Sequence, residues 1–207
     1  GSQAGTGRYV TKTLGGGIRF SVPVTEMDTI SYGLAYENTD ITTFPDSPLI
    51  YQDYVRTFGN ENDAIILTAG WRRDGRDSLI YPTQGTYQRV IAEVGLPGAS
   101  LQYYKLNYQY QRYFPLTRHY TLMLNGEAGY GDGTNDLPLP FFKNFYAGGV
   151  NSVRGFKNAT IGPKDSNGDP RGGNQRLVGN AEFLFPFPGL QNDRSVRLGA
   201  FFDAGMI

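Results

Sequence analysis

The sequence predicts an all-β protein, an antiparallel up-and-down sheet of the kind that forms transmembrane β-barrels. Three observations lead to this prediction. Apolar and polar residues alternate with a period of two over about eight segments. Tyrosine, phenylalanine and glycine are abundant, at 15, 13 and 28 residues. Short and long connections separate the segments, and the pattern requires no helix of ordinary length.

The alternation is clearest in residues 101–113, LQYYKLNYQYQRY. One face of this segment carries Tyr104, Leu106, Tyr108 and Tyr110, and the other carries Lys105, Asn107, Gln109 and Gln111. Similar stripes occur at 119–130 and 195–203, and at about 13–22, 29–38, 63–72, 86–95 and 176–185. Each has about 9–12 residues, the length that a tilted strand needs to cross a bilayer. We expect an outward-facing set that includes Leu106, Tyr108, Leu122, Leu124, Leu198 and Phe202.

Composition excludes several classes of protein. Lysine plus arginine equals aspartate plus glutamate at 19 each, so no basic excess indicates nucleic acid as a partner. The chain has no cysteine and one histidine, His119, so thiol chemistry and multi-histidine metal sites are not expected. No cofactor is predicted. No run approaches the ~18 apolar residues of a membrane helix.

The connections indicate which strand ends lie together. Links at 39–62 and 131–175 are long, which is unusual in a compact soluble domain. Barrels of the outer membrane have short periplasmic turns at one end and long external loops at the other. Antiparallel order therefore places both long links at one end, opposite 23–28, 73–85 and 114–118. A further short turn is predicted at 186–194.

A soluble β-sandwich is the rival architecture, because its strands also alternate. It would bury the apolar faces in a core and leave side chains such as Lys105 and Gln109 in water. Sandwich strands usually have about 5–6 residues, so the length of the segments favours the barrel.

Two carboxylates are predicted to face inward on the last two strands, Glu182 and Asp203. Neighbouring carboxylates repel each other unless a cation lies between them. The preceding loop, FYAGGVNSVRGF at 145–156, contains Arg154 among glycines, and a guanidinium group has donors for both carboxylates. We expect Arg154 to bond Asp203, Glu182 or both, with Phe156 packed beside the pair to exclude water. The alternative is a solvated loop charge.

Several motifs resemble one family of outer-membrane proteins. The resemblance rests on NFYAGGVNSVRGF, then TIGPK, then the strands NAEF and FFDAG, in this order. That family contains bacterial outer-membrane protein assembly factors, two-partner secretion transporters and organelle import pores. The segment NATIGPK is more similar to the assembly factors. The loop motif consists of Gly148, Gly149, Val153, Gly155 and Phe156 beside Arg154.

A second resemblance lies at 73–85, RDGRDSLIYPTQG, which is similar to a D-x-x-x-x-P-T-x-G turn of the same family. Asp77, Pro82, Thr83 and Gly85 occupy the pattern. Proline restricts φ and glycine permits an unusual φ, so the motif predicts a tight strand reversal. No chemistry is predicted for it.

The resemblance implies a protein, not an enzyme, that folds and inserts client β-barrel proteins into the bacterial outer membrane without covalent chemistry. Implied partners are the client proteins, accessory lipoproteins of the assembly complex and outer-membrane lipids. Clients would add strands at a seam between the first and last strands of the barrel.

The family's barrel has more strands than this chain supplies. Residues 1–207 are therefore expected to form a partial barrel domain of about eight strands, without the strands of the seam. Its own contribution would be scaffold and latch within the lumen. The alternatives are a secretion or import pore of the same family and a passive porin, which would not need Arg154 with Glu182 and Asp203.

Overall fold

The computed structural model describes residues 9–189 and 196–207, and these form one eight-stranded antiparallel sheet. Each strand pairs with the next along the chain, which confirms the predicted all-β, up-and-down fold. The strands are β1 Tyr9–Pro23, β2 Asp28–Thr43, β3 Glu61–Asp74, β4 Gly85–Gly95, β5 Tyr103–Pro115, β6 Thr121–Gly133, β7 Gln175–Pro186 and β8 Arg197–Met206. Most of the predicted turn at 186–194 lies outside the described residues.

The two faces of the sheet differ as the alternation predicts. Leu106, Tyr108, Leu124, Leu198 and Phe202 are exposed on the outer face. On the inner face of β5, Lys105, Asn107 and Gln109 are half-buried. Successive residues of a strand point to opposite faces, so period two in the sequence becomes an apolar outer surface and a polar inner one.

The sheet curls, as a contact between distant strands shows. Arg197 at the start of β8 donates a hydrogen bond from Nη1 to the carbonyl oxygen of Pro82, 2.7 Å away, in the turn between β3 and β4. Its guanidinium group also lies over the Tyr81 ring, 4.1 Å from the centroid. In a flat sheet β4 and β8 would be about 19 Å apart, at about 4.8 Å per strand. Only a curved sheet brings these residues together.

One prediction from the sequence is wrong, because the link at 39–62 contains a helix. β2 extends to Thr43, helix α1 spans Leu49–Phe58, and β3 begins at Glu61. The helical signal is present in the sequence, since Tyr51, Tyr54, Val55 and Phe58 follow the i, i+3, i+4, i+7 spacing. The helix ends at Gly59, with a φ of +85°, whose N–H donates to the carbonyl oxygen of Val55.

Helix α1 packs on the inside of the sheet at the end that carries the long connections. Tyr51 is buried against Tyr9 of β1, Ile41 of β2 and Phe141. Phe141 belongs to a short 3₁₀ turn, Phe141–Lys143, in the connection between β6 and β7. No helix in the described part of the chain is long and apolar enough to cross a membrane.

Candidate functional site

The long loop, residues 134–174 between β6 and β7, folds back over the inner face of the sheet. Val153 is 1% exposed and packs with Ala147 of the same loop and Val178 of β7. A second contact joins the loop to β5, where the Lys105 ammonium group lies 4.4 Å from the centroid of the Phe145 ring of the loop. The loop therefore occupies the lumen, the space enclosed by the inner face.

A tight backbone turn presents Arg154. The N–H of Gly149 donates to the carbonyl oxygen of Val153 at 3.0 Å. The N–H of Ser152 donates to the carbonyl oxygen of Gly149 at 3.1 Å. Gly149 has a φ of +97°, and a Cβ there would lie 1.8 Å from Oδ1 of Asn158. The positive φ favours glycine, and a larger residue would also have to displace the Asn158 side chain.

Arg154 contacts both predicted carboxylates. Its Nε and Nη2 donate to Oδ2 and Oδ1 of Asp203, at 2.7 and 2.8 Å, and its backbone N–H donates to Oδ2 at 2.9 Å. Nη1 donates to Oε2 of Glu182 at 3.1 Å. The Asp203 contact is the bidentate arrangement that makes arginine–carboxylate pairs strong and directional. That these contacts act as a latch in the working protein remains a prediction.

The surroundings of the pair strengthen the attraction. The side chain of Asp203 is 2% exposed, whereas those of Arg154 and Glu182 are 24% and 21% exposed. Hydrogen bonds to Asp203, and then those to Glu182, raise the pKa of Arg154 above its ordinary value against the opposing effect of burial. The guanidinium group is therefore charged at every physiological pH. A partly desolvated pair of this kind is screened less than one on the surface.

The aromatic side chain beside the pair is Phe201, not Phe156. The Arg154 guanidinium carbon lies 3.7 Å from the centroid of the Phe201 ring, on the inner face of β8. Phe156 is 57% exposed, so the prediction that it shields the pair is wrong. The chain turns at Gly155, which has a φ of +87°, and carries Phe156 away. The parity of β8 identifies Phe201, because residues 199, 201 and 203 share one face.

A row of amide side chains also anchors the loop, and the sequence reasoning did not find it. Nε2 of Gln109 donates to Asn125, Nδ2 of Asn125 donates to Asn180, and Nδ2 of Asn180 donates to the carbonyl oxygen of Ser152, at 2.8, 2.8 and 2.7 Å. The row crosses three neighbouring strands and ends at the Arg154 turn. Its members are visible in the sequence only as polar inner-face residues.

The second motif builds a rigid turn at the opposite end of the sheet. Oδ1 of Asp77 accepts the backbone N–H groups of Thr83 and Gln84, at 2.9 and 3.2 Å, and Oδ2 accepts the Thr83 hydroxyl at 2.5 Å. Gly85 has a φ of +106°, and a Cβ there would lie 2.2 Å from the carbonyl oxygen of Gly75. Partial burial of Asp77 opposes ionisation, but the hydrogen bonds from Thr83 and Gln84 hold its pKa below the usual value.

Comparison with known proteins agrees with this geometry. A model described as "Omp85 superfamily domain" matches residues 2–207. The chain is 42% identical, over 97% of its length, to outer membrane protein assembly factor BamA of Neisseria meningitidis serogroup B. It is 32% identical, over 67% of its length, to the SAM50-like protein of Schizosaccharomyces pombe.

The fold has a close match among solved structures. The crystal structure of BamA from Haemophilus ducreyi lacking POTRA domains 1–3 superposes with a TM-score of 0.87, at 23% identity, over 96% of this chain and 42% of that one. The chain spans 27% of the Neisseria protein and 30% of the yeast protein. Since the family match covers almost every residue, from the first strand through the Arg154 loop to β8, the chain belongs to the Omp85 superfamily.

Proposed function

We propose that residues 1–207 are part of the β-barrel of an outer-membrane protein assembly factor. The whole protein folds client β-barrel proteins and inserts them into the bacterial outer membrane, without covalent chemistry. The observation that carries the proposal is the 42% identity, over 97% of the chain, to a protein named as such a factor. The exposed apolar outer face supports a location in lipid.

The described sheet is open, which supports its assignment as a piece of a larger barrel. β1 and β8 each pair on one side only among the described residues. Lipid offers no hydrogen bonds to a free strand edge, so spanning sheets must be closed. Other strands of the whole protein would complete the barrel, and client strands would join it by pairing with an available edge. Accessory lipoproteins of the complex and outer-membrane lipids are further proposed partners.

Within this function, the Arg154 site acts as a latch that keeps the long loop inside the lumen. Arg154 joins that loop to β7 through Glu182 and to β8 through Asp203. A loop fixed to two neighbouring strands restrains their relative position, and the restraint is lost when the guanidinium group is removed. The latch therefore holds the barrel wall in the shape that client insertion requires.

The test is reconstitution of the full-length protein in liposomes with a urea-unfolded client barrel. The wild type should convert the client to a protease-resistant, membrane-embedded form. Arg154→Ala should lower the yield severalfold, and Arg154→Lys should restore part of it, because lysine keeps the charge but lacks the fork. Arg56→Gln, on the exposed side of α1, is the matched control and should behave as wild type.

Other outcomes would overturn the proposal. Release of the client into the vesicle interior would indicate a secretion pore. Vesicles that leak small solutes while the client stays unfolded would indicate a passive porin. Full client insertion by the Arg154→Ala protein would leave the assembly function in place and eliminate the latch.

A further inference from the structure

Three arginines lie on the inner face away from the Arg154 site: Arg19 of β1, Arg72 of β3 and Arg89 of β4. They line one cavity of about 440 Å³. All three side chains are exposed to the lumen. Arg72 shares its face of β3 with the buried Ile66, six residues earlier, which identifies this face as the inner one.

Arg72 and Arg89 are direct cross-strand partners. Like charges at opposed positions of an antiparallel pair destabilise the sheet. Three other basic residues in the lumen have acidic partners: Arg154 with Asp203, Arg176 with Glu127 at 2.9 Å, and Lys143 with Glu37 at 3.0 Å. The Arg72–Arg89 pair departs from this pattern.

The carboxylate nearest to Arg72 along β3 is already hydrogen-bonded to another arginine. Asp74, two residues from Arg72 on the same face, accepts two hydrogen bonds from Arg76, at 2.9 and 2.7 Å. Within the described ranges, no carboxylate lies within ion-pair distance of Arg19, Arg72 or Arg89. None of the three guanidinium groups therefore forms an ion pair with a carboxylate of the described part of the chain, although Asp74, already bonded to Arg76, lies close enough to attract Arg72.

The surface between the arginines is formed by small side chains and is polar. Ser31 of β2 pairs with Ser21 of β1 on one side and with Gly70 of β3 on the other. A Cβ at Gly70 would lie 2.6 Å from Oγ of Ser31, so a larger residue does not fit without displacement. This shallow floor leaves room for an extended chain to lie between the guanidinium groups.

The position of the cavity limits what can reach it. Arg72 is two residues from the end of β3, and Arg89 is four residues from the start of β4, so both lie within about 13 Å of the short-turn end. The outer faces of the strands that carry the arginines have exposed apolar side chains, such as Ile18 of β1 and Leu67 of β3. The apolar outer face suits contact with lipid chains, whereas the arginine side chains lie on the opposite, inner face. The short-turn end is therefore the nearer entrance to the cavity.

We propose that Arg19, Arg72 and Arg89 form a binding site for the carboxylates of an acidic, extended polypeptide segment. The arginines spread over β1 to β4, three strand intervals or about 14 Å, which a single phosphate cannot span. A segment with several carboxylates can form hydrogen bonds with each guanidinium group along its length. The site rests on the proposed assembly function for its source of ligand, which is a client chain in transit.

The test measures peptide binding to the full-length protein in nanodiscs by fluorescence anisotropy. The probe is a labelled 12-residue peptide of aspartate, glycine and serine, and its matched control has asparagine for aspartate. The aspartate peptide should bind, more weakly as salt rises, and the asparagine peptide should not. Arg72→Gln and Arg89→Gln should each weaken binding about tenfold, and Arg56→Gln should leave it unchanged. Equal binding of both peptides, wild-type binding by Arg89→Gln, or displacement by an equal concentration of inorganic phosphate would overturn the site.

Thermal unfolding provides a second measurement. Removing one of two repelling charges should raise or preserve the unfolding midpoint of the Arg89→Gln protein. A lowered midpoint would mean that a carboxylate elsewhere in the protein already holds the pair, which would overturn the proposal. Client insertion separates this site from the proposed function: Arg154→Ala should lower insertion severalfold and retain peptide binding. A wild-type protein that binds the peptide but inserts no client would refute the assembly function alone.

Discussion

At the scale of single residues, one arginine connects the long loop to the wall of the sheet. Arg154 donates to Asp203 through two side-chain nitrogens and its backbone N–H, and to Glu182 through a third side-chain nitrogen. Phe201 covers one face of the guanidinium group. Because Asp203 is almost fully buried, removal of Arg154 leaves a desolvated carboxylate without its counter-charge.

We therefore expect Arg154→Ala to destabilise the full-length protein by about 2–4 kcal/mol, between the values for buried and exposed pairs. Arg154→Lys should lose less, since it retains the charge. The free energy of unfolding is measured by urea titration in detergent. The readout is the heat-modifiable gel mobility, which the protein loses as it unfolds. Arg56→Gln, whose pair with Asp53 is mostly exposed, should change stability by less than about 1 kcal/mol. Equal effects of Arg154→Ala and Arg56→Gln would contradict this account.

Asp77 gives a prediction for the pH dependence of stability. Its folded-state pKa is below the usual value, so the unfolded state binds the proton more readily. The stabilisation is present above the unfolded pKa of about 4 and is lost as the pH falls through the folded pKa. The unfolding midpoint of Asp77→Asn should lie below that of the wild type at pH 7, and the gap should shrink as the pH falls below about 4. Asp53→Asn, on the exposed side of α1, is the matched control and should keep an unfolding midpoint close to that of the wild type. A gap that stays constant with pH would exclude the carboxylate as its origin.

At the scale of elements, the backbone of the long loop depends on glycines to different degrees. A Cβ at Gly149 would collide with Oδ1 of Asn158, whereas a Cβ at Gly155 would meet nothing within 4 Å. Both residues have positive φ values, which cost a residue with a side chain about 1–2 kcal/mol. Only Gly149 adds a steric conflict to this cost.

Gly149→Ala should therefore disturb the loop more than Gly155→Ala. The expected result is faster cleavage of residues 134–174 by protease added to the full-length protein in detergent, with Gly155→Ala as the matched comparison. Mass spectrometry of the fragments locates the cuts. If Gly155→Ala accelerated cleavage as much as Gly149→Ala, the steric conflict would not govern the loop.

At the scale of the whole molecule, curvature and antiparallel order together separate two ends. The connections that hold α1 and the long loop lie at one end, and the turn with Asp77 lies at the other. The outer face between them is apolar. A sheet of this kind in the outer membrane places its long connections outside the cell.

Single cysteine substitutions test this orientation, because the chain has no cysteine of its own. In the full-length protein on intact cells, a membrane-impermeant thiol reagent should label Asp53→Cys on α1 and Asn167→Cys in the long loop. It should not label Glu26→Cys or Thr117→Cys until the cells are opened. Labelling of Thr117→Cys from outside would reverse the orientation or change the number of strands.

The sequence by itself determined the strands and their two faces. It also led to the hypothesis that Arg154 pairs with inward carboxylates. These depend on local periodicity, because each residue's face follows from its place in the strand. The helical spacing of Tyr51, Tyr54 and Phe58 was equally local, and it was outweighed by the surrounding strand pattern. Local sequence patterns therefore predict secondary structure and the face of each residue.

The tertiary structure decided which side chains meet across long distances. Phe201 rather than Phe156 covers Arg154 because Gly155 turns the chain away from the site. Arg72 faces Arg89 because of the register between β3 and β4, and Arg197 reaches Pro82 because the sheet curls. Curvature and loop path depend on packing among residues far apart in the chain, and the exact register depends also on the geometry of the turn that joins two strands.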